Sequence, residues 1–293
     1  MRICLRQALL MVALMALAGA ALGAPPARPG NPRPATPRAS RPDSALRAAA
    51  HDSALRALAQ VEVPADTLAL ALADSAIRAH GSLSDWRTIR DLEFTREVVQ
   101  HGREGAIRTM VARHVLRVGA GTWSLRLETQ LADGSRLVCV TTPDTNWATQ
   151  DGKPMKNRRA LTFAPIQMEL DRRLLLLPWA LRDPGVRLFS ASDSSRPADR
   201  SLDCILSGSG ETWRIGLDAL THRVVSVAWW HLDGGAISPE YRVVQSNFET
   251  HNGLALPGRQ EIYDAREGRL LAEHTLRGYQ LNVGFPDSLF QRP

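Results

Sequence analysis

Cysteine, aromatic residues and catalytic spacing are all in short supply in this chain. It has three cysteines in 293 residues, and aromatic side chains make up 5% of it. Cys4 lies before the N-terminal apolar segment, whereas a lipidated cysteine would sit just after such a segment, so it makes no lipoprotein signal. Cys139 and Cys204 both fall in apolar strand-like stretches, and in an oxidising compartment one disulfide or two buried thiols fit them equally well. The eight histidines include no pair at the spacing of a helical zinc motif, so no metal site is expected. His231 and Asp233 read as a solvated turn at a strand end. Ser207-Gly-Ser-Gly210 lacks the spacing of a nucleophile elbow and precedes a strand rather than a helix, so it reads as a hairpin turn. With no phosphate-binding glycine loop either, neither cofactor nor catalysis is expected.

An excess of positive charge is also missing from the part of the chain that can fold. The formal net charge is +6, but eight Arg against two Asp in the first 60 residues account for all of it. The remainder is balanced. A phosphate backbone needs clustered cations, so the folded part carries no expectation of nucleic-acid binding.

At the N-terminus, Arg2 and Arg6 precede the apolar run Ala8 to Leu22, and the small residues Ala21-Leu-Gly23 offer a cut before Ala24. Residues 1–23 therefore read as a cleaved signal peptide. A spanning helix needs about 20 apolar residues, and this run is shorter and is followed at once by Pro25-Pro26, so no transmembrane segment is expected to remain. Residues 24–60 are rich in Pro, Arg and Ala and read as an extended linker ending in a marginal helix with a near repeat, Asp43-Ser-Ala-Leu-Arg47 and Asp52-Ser-Ala-Leu-Arg56. The folded domain is expected over residues 61–293.

Within that domain a helix is expected from Pro64 to His80, with Asp66 as N-cap and Gly81 as stop, packed on a sheet edge through Leu68, Leu72, Ser75 and Ala79 with Leu70, Ala73 and Ile77 beside them. Strand signals follow over Leu92–Gln100, Ile107–Val118, Thr122–Leu131, Arg136–Thr142 and Asn146–Thr149, and again over Ser201–Ser207, Glu211–Leu217, Arg223–Leu232 and Glu240–Glu249. Gln260–Asp264 and Arg269–Tyr279 complete the series as a hairpin around Arg266-Glu-Gly268, and Asn252-Gly253 and Pro257-Gly258 read as breaks. Arg223–Leu232 is apolar in both alternating sets, which predicts a strand covered on both faces. The longest strands span roughly 34 Å, so the sheet must curve or be covered. One helical interruption, Ile166–Leu181, carries Met168, Leu170, Leu174, Leu177 and Leu181 at helical spacing, with Pro178 expected to end or kink it. It reads either as an ordinary core helix over the sheet or as a movable lid hinged near Pro178 and Asp183-Pro-Gly185.

The chain thus reads as an exported protein with an N-terminal helix ending at Gly81, an antiparallel strand series, a helical insertion, and a closing series with Asn247-Phe248, Gly253-Leu-Ala-Leu-Pro257, Asn282 and Phe290, and Asn146-Trp147 stands before Asp151-Gly152. In this order of parts and these motifs it resembles the LolA-like superfamily of bacterial outer-membrane lipoprotein-sorting proteins. The resemblance implies an α+β fold: a strongly curved antiparallel sheet, an incomplete β-barrel, with helices covering the concave face. It also implies a periplasmic protein that holds a lipid or acylated lipoprotein. The cavity and lid expected from it are Trp123, Leu125, Trp147, Met168, Leu170, Leu174, Leu177, Trp213, Val227 and Trp229. Burying an acyl chain at about 0.8 kcal/mol per CH₂ gives on the order of 10 kcal/mol before ordering costs, so such a site needs apolar area and few polar motifs. The competing expectation is a structural or sensory envelope module that binds a protein partner.

Overall fold

The computed structural model describes residues 66–292 apart from 103–104, 120–121, 156–157, 191–199, 207–210 and 232–240. The expected signal peptide, the linker with its marginal helix, and the turns at 207–210 and 233–235 lie outside the described residues.

Thirteen strands form one antiparallel sheet. The first six are β1 (Asp91–Gly102), β2 (Gly105–Val118), β3 (Trp123–Gln130), β4 (Arg136–Thr141), β5 (Asn146–Gln150) and β6 (Lys153–Pro154). Each pairs with the one before it, so the chain steps steadily toward one edge. The other seven are β7 (Val186–Ser190), β8 (Arg200–Leu206), β9 (Glu211–Leu217), β10 (Val224–His231), β11 (Tyr241–His251), β12 (Leu254–Asp264) and β13 (Leu270–Leu281). They begin at the opposite edge and step back until β13 pairs with β1. The sheet is a linear series with β6 and β7 at its ends and is not closed into a barrel.

Among the described residues three α-helices accompany it: α1 (Thr67–Ala79), α2 (Leu83–Arg87) and α3 (Arg158–Ala180), the last being the crossover between the two edges. Asp66 caps α1 as expected, accepting from the backbone N–H groups of Leu68 and Ala69. Gly81 follows with φ +104°, and a Cβ there would lie 2.5 Å from the Gly253 carbonyl oxygen, so only glycine fits the stop. The buried side of α1 keeps Ala73 and Ile77 of the expected set and replaces Leu68 with alanines. Ala69, Ala73, Ala76 and Ile77 face inward, while Leu68 is exposed, because small alanines let the helix approach the edge strands β7 and β8 closely. Helix α2 opens with a Ser82/Asp85 capping box and brings Trp86 onto Trp179 of α3, with ring centroids 4.7 Å apart.

Two strand expectations need correction. Pro257-Gly258 is no break: β12 runs through it, with Pro257 opposite Phe248, the Pro257 carbonyl accepting from the Tyr279 hydroxyl at 2.8 Å, and Gly258 fitted against the Asn247 carbonyl oxygen. Asn252 and Gly253, both at positive φ, instead form the tight two-residue turn between β11 and β12. Strand β10 is not buried on both faces, since Val227 and Trp229 are buried but Val225 and Ala228 are half-buried. Val224 joins the inner set because the register shifts between it and Ser226. Two short strands at the sheet ends, β6 and β7, carry too few residues to show alternation.

Helix α3 starts eight residues earlier than expected, at Arg158, and continues two residues past Pro178. Proline at position 178 removes the donor that would reach the carbonyl of Leu174. The side chain of Gln245 on β11 supplies that donor, its Nε2 lying 3.3 Å from the Leu174 carbonyl oxygen. The helix therefore survives its proline.

Candidate functional site

One face of the sheet carries two apolar clusters, and α3 contributes to both. Leu174, Leu177 and Leu181 join Leu188, Leu202, Trp213, Ile215, Val227 and Trp229 together with the alanines of α1. Met168, Leu175, Leu176 and Trp179 join Leu92, Phe94, Leu116, Leu125, Leu137 and Leu256. Every residue from Leu174 to Trp179 is buried. A helix lying on a surface buries one stripe, whereas burial of six consecutive residues requires neighbours on all sides.

Nine of the ten expected lining residues belong to this face. Leu125, Met168, Leu174, Leu177, Trp213, Val227 and Trp229 are buried in the two clusters, and Trp123 and Leu170 pack half-buried against them. The Thr141 hydroxyl donates to Met168 Sδ at 3.6 Å, and the Arg172 guanidinium lies 4.8 Å over the Trp123 ring. Trp147 is the exception and is a correction. It points to the opposite face, because Ala148 takes the inward position on β5, and it packs with Val115, Val138, Val140 and Phe290. Its indole N–H donates to the Phe290 carbonyl at 3.4 Å. A 3-10 turn, Asp287–Phe290, held by Arg126 through the Leu289 carbonyl at 2.7 Å, thus covers the outer face there.

A line of polar residues runs between the two apolar clusters. On β13, His274 lies between Ala272 of one cluster and Leu276 of the other; on β12, Gln260 lies between Ile262 and Leu256 in the same way. Register places Gln245, Gln260 and His274 in one row, with Arg96 of β1 and His114 of β2 diagonally beyond. Arg96 is 2% exposed, His114 0% and His274 4%. Asp171, on the inward side of α3, forms an ion pair with Arg96 whose side chains are 3% and 8% exposed. His114 stacks on Phe94 at 4.8 Å. Burial, with the Arg96 charge adding to it, pushes both imidazoles well below the usual histidine range, so both are neutral. Among the described residues, Arg96 Nε, both ring nitrogens of His114 and Nδ1 of His274 have no hydrogen-bond partner.

This polar line was missed from sequence, although a signal exists. Arg96 sits in the inward register of Leu92, Phe94 and Val98, and His114 in that of Ala112 and Leu116. A charged or titratable residue in the buried half of an alternating strand asks for a partner. Elsewhere the face is chemically quiet. Cys139 and Cys204 are free thiols, pushed up to about 12 by burial. No group of three His, Cys, Asp or Glu residues capable of holding a metal occurs among the described residues. No helix among them is long and apolar enough to cross a membrane.

No family model and no curated protein matches the sequence. Solved structures do match the fold. A DUF1329 family protein from Desulfovibrio piger superposes with a TM-score of 0.52 at 10% identity, over 76% of this chain and 97% of that one. A LolA superfamily protein from Nitrosomonas europaea superposes with a TM-score of 0.50 at 10% identity, over the same two shares. The chain has a LolA-like fold. At such identity the likeness speaks for the LolA-like sheet alone, and the residues on its inner face are this chain's own.

Proposed function

We propose that this protein is a non-catalytic carrier of the bacterial envelope that holds acyl chains of lipids or lipoproteins on the sheet face now filled by α3. Export to the periplasm, and lipoprotein sorting as the task, are the finer parts of the same reading, and the fold likeness to a LolA superfamily protein supports them. The observation that carries the proposal is the unbroken burial from Leu174 to Trp179. Withdrawing this one helix would uncover two apolar patches, one set with Trp213, Val227 and Trp229 and the other with Leu125, on either side of the polar line.

Geometry supports a concave face. Met168, Asp171 and Leu174 touch β4, β1 and β11 respectively, through Thr141, Arg96 and Gln245. Those helix residues span about 9 Å. The strands lie six spacings apart in the sheet order, roughly 29 Å if the sheet were flat. Side chains reaching toward a short helix from so wide an arc require the sheet to bend around it. The helix is then a plug in a trough.

Native mass spectrometry of the protein purified from its own envelope tests this reading. A retained acyl mass is expected, together with saturable binding of a fluorescent fatty acid once the protein is delipidated. A protein that holds no acyl mass and shows no saturable binding refutes the carrier. Co-purification of one stoichiometric protein without lipid would replace it with a partner-binding module.

A further inference from the structure

The polar line beneath α3 is not accounted for by stability. A buried ion pair can usually be exchanged for apolar residues of similar volume with little loss or with a gain, and each buried unpartnered polar atom costs about 1–3 kcal/mol. Gln245 has a structural task, satisfying the carbonyl freed by Pro178. Arg96, His114 and His274 have none that the fold requires. Arg96 pairs with Asp171, one of two carboxylates on α3, and its charge acts on both neighbouring rings, whose nitrogens lack partners.

We propose that Arg96, with His114 and His274 beside it, is the binding site for the carboxylate of a free fatty acid, and that Asp171 occupies this site when no ligand is present. The proposal rests on the carrier reading and names the class of lipid. The Asp171 side chain is a carboxylate on an element that must leave before an acyl chain can enter. A fatty acid brings the same group on a flexible apolar stem. The exchange conserves charge: the ligand carboxylate takes the guanidinium, and Asp171 becomes hydrated as the helix withdraws. Each neutral imidazole has one N–H to give, so two of the unpartnered groups gain an acceptor. The stem can run from this point into either apolar cluster, since the polar line divides them. A neutral chain end would leave Arg96 buried and unpaired, which disfavours esters and alcohols.

The test compares binding of palmitate and hexadecanol to delipidated full-length protein at pH 7.5, with hexadecyl phosphate as a third probe. Palmitate is expected to bind at least about tenfold tighter than hexadecanol, the range for a buried hydrogen bond to a charged group. Arg96→Met with Asp171→Leu removes both charges together, so neither is left buried alone, and this variant is expected to lose the preference. Asp171→Asn removes the internal competitor and is expected to tighten palmitate binding. Equal affinity for palmitate and hexadecanol in the native protein, or a preference that survives the double change, overturns the proposal while leaving the carrier intact. Binding of neither ligand refutes the carrier itself. Tighter binding of hexadecyl phosphate than of palmitate reassigns the head group and overturns the carboxylate assignment.

Discussion

Acidification from pH 7.5 to 5.0 is expected to strip stability from this protein well before its carboxylates protonate. Three buried histidines set the effect. The His80 ring clips three elements together: Nδ1 donates to the Ala255 carbonyl at 2.8 Å, and Nε2 accepts the Val224 N–H at 2.9 Å. Acceptance at Nε2 requires the neutral ring, and burial lowers its pKa from 6.5 to about 4. His114 and His274 are pushed in the same direction by burial and by Arg96. In each case the unfolded state binds a proton that the folded state refuses. The stabilisation is therefore complete above the unfolded value near 6.5 and is lost as pH falls. At pH 5.0 the His80 ring alone accounts for about 2 kcal/mol, against a usual total stability of about 5–15 kcal/mol, and His114 and His274 act in the same direction. The carboxylates with lowered pKa, such as Asp66, Glu128 and Glu169, lose their contributions only below their ordinary values near 4. The window from 6.5 to 5 belongs to histidine. Urea unfolding followed by tryptophan fluorescence at half-unit steps should show the midpoint falling steadily there. In His114→Leu, which also deletes two unpartnered nitrogens, the slope should become shallower. A midpoint that stays level between pH 7.5 and 5.0 would refute the assignment of neutral buried rings.

Other perturbations follow from the same contacts. Asp171→Ala strands the Arg96 charge and should cost about 3–5 kcal/mol, whereas Arg96→Met with Asp171→Leu should fall within about 1 kcal/mol of the native protein in urea unfolding. Leu174→Ala should lose about 2–5 kcal/mol, while Leu220→Ala, at a side chain 91% exposed, should be neutral by the same measurement. Gln245→Leu leaves the Leu174 carbonyl without the donor that replaces Pro178 and should cost about 1–3 kcal/mol; adding Pro178→Ala should restore part of it. Cys139 and Cys204 should resist a thiol reagent in the native state and react within minutes in urea, and non-reducing mass analysis should show two free thiols.

The strand series was legible because alternation and turn residues speak locally. Asp66, Gly81, Asn252-Gly253 and Gly268 each mark an end that the chain uses. Errors arose where a distant residue compensates for a local fault. Pro178 looked like a terminator because its substitute donor, Gln245, is 67 positions away in sequence and adjacent only in the fold. Pro257-Gly258 looked like a break because the chain that accepts it, at Asn247 and Tyr279, lies on neighbouring strands. Trp147 was placed on the wrong face because a five-residue strand offers too little alternation to fix its phase. The polar line escaped for a different reason. Arg96, His114, Asp171 and His274 come from four separate elements, and only sheet register brings them together.

Whether a plugged trough can serve as a carrier depends on the balance between plug and ligand. Six helix side chains, Met168, Leu174, Leu175, Leu176, Leu177 and Trp179, are buried at 6% exposure or less. At about 2 kcal/mol each they contribute roughly 12 kcal/mol to keeping the helix in place. A sixteen-carbon acyl chain buries fifteen methylene or methyl groups, and at about 0.8 kcal/mol per group it too gains roughly 12 kcal/mol. The surface ion pairs that tie the helix outward, Arg182 to Asp74 at 2.6 Å among them, add at most about 1 kcal/mol each. Neither occupant wins decisively on apolar burial, which is what loading and release in turn require. The deciding difference then falls on the one contact where the occupants can differ, the carboxylate that pairs with Arg96. A leucine-rich helix of half the buried area would leave the trough permanently loaded, and one of twice the area would never admit a ligand.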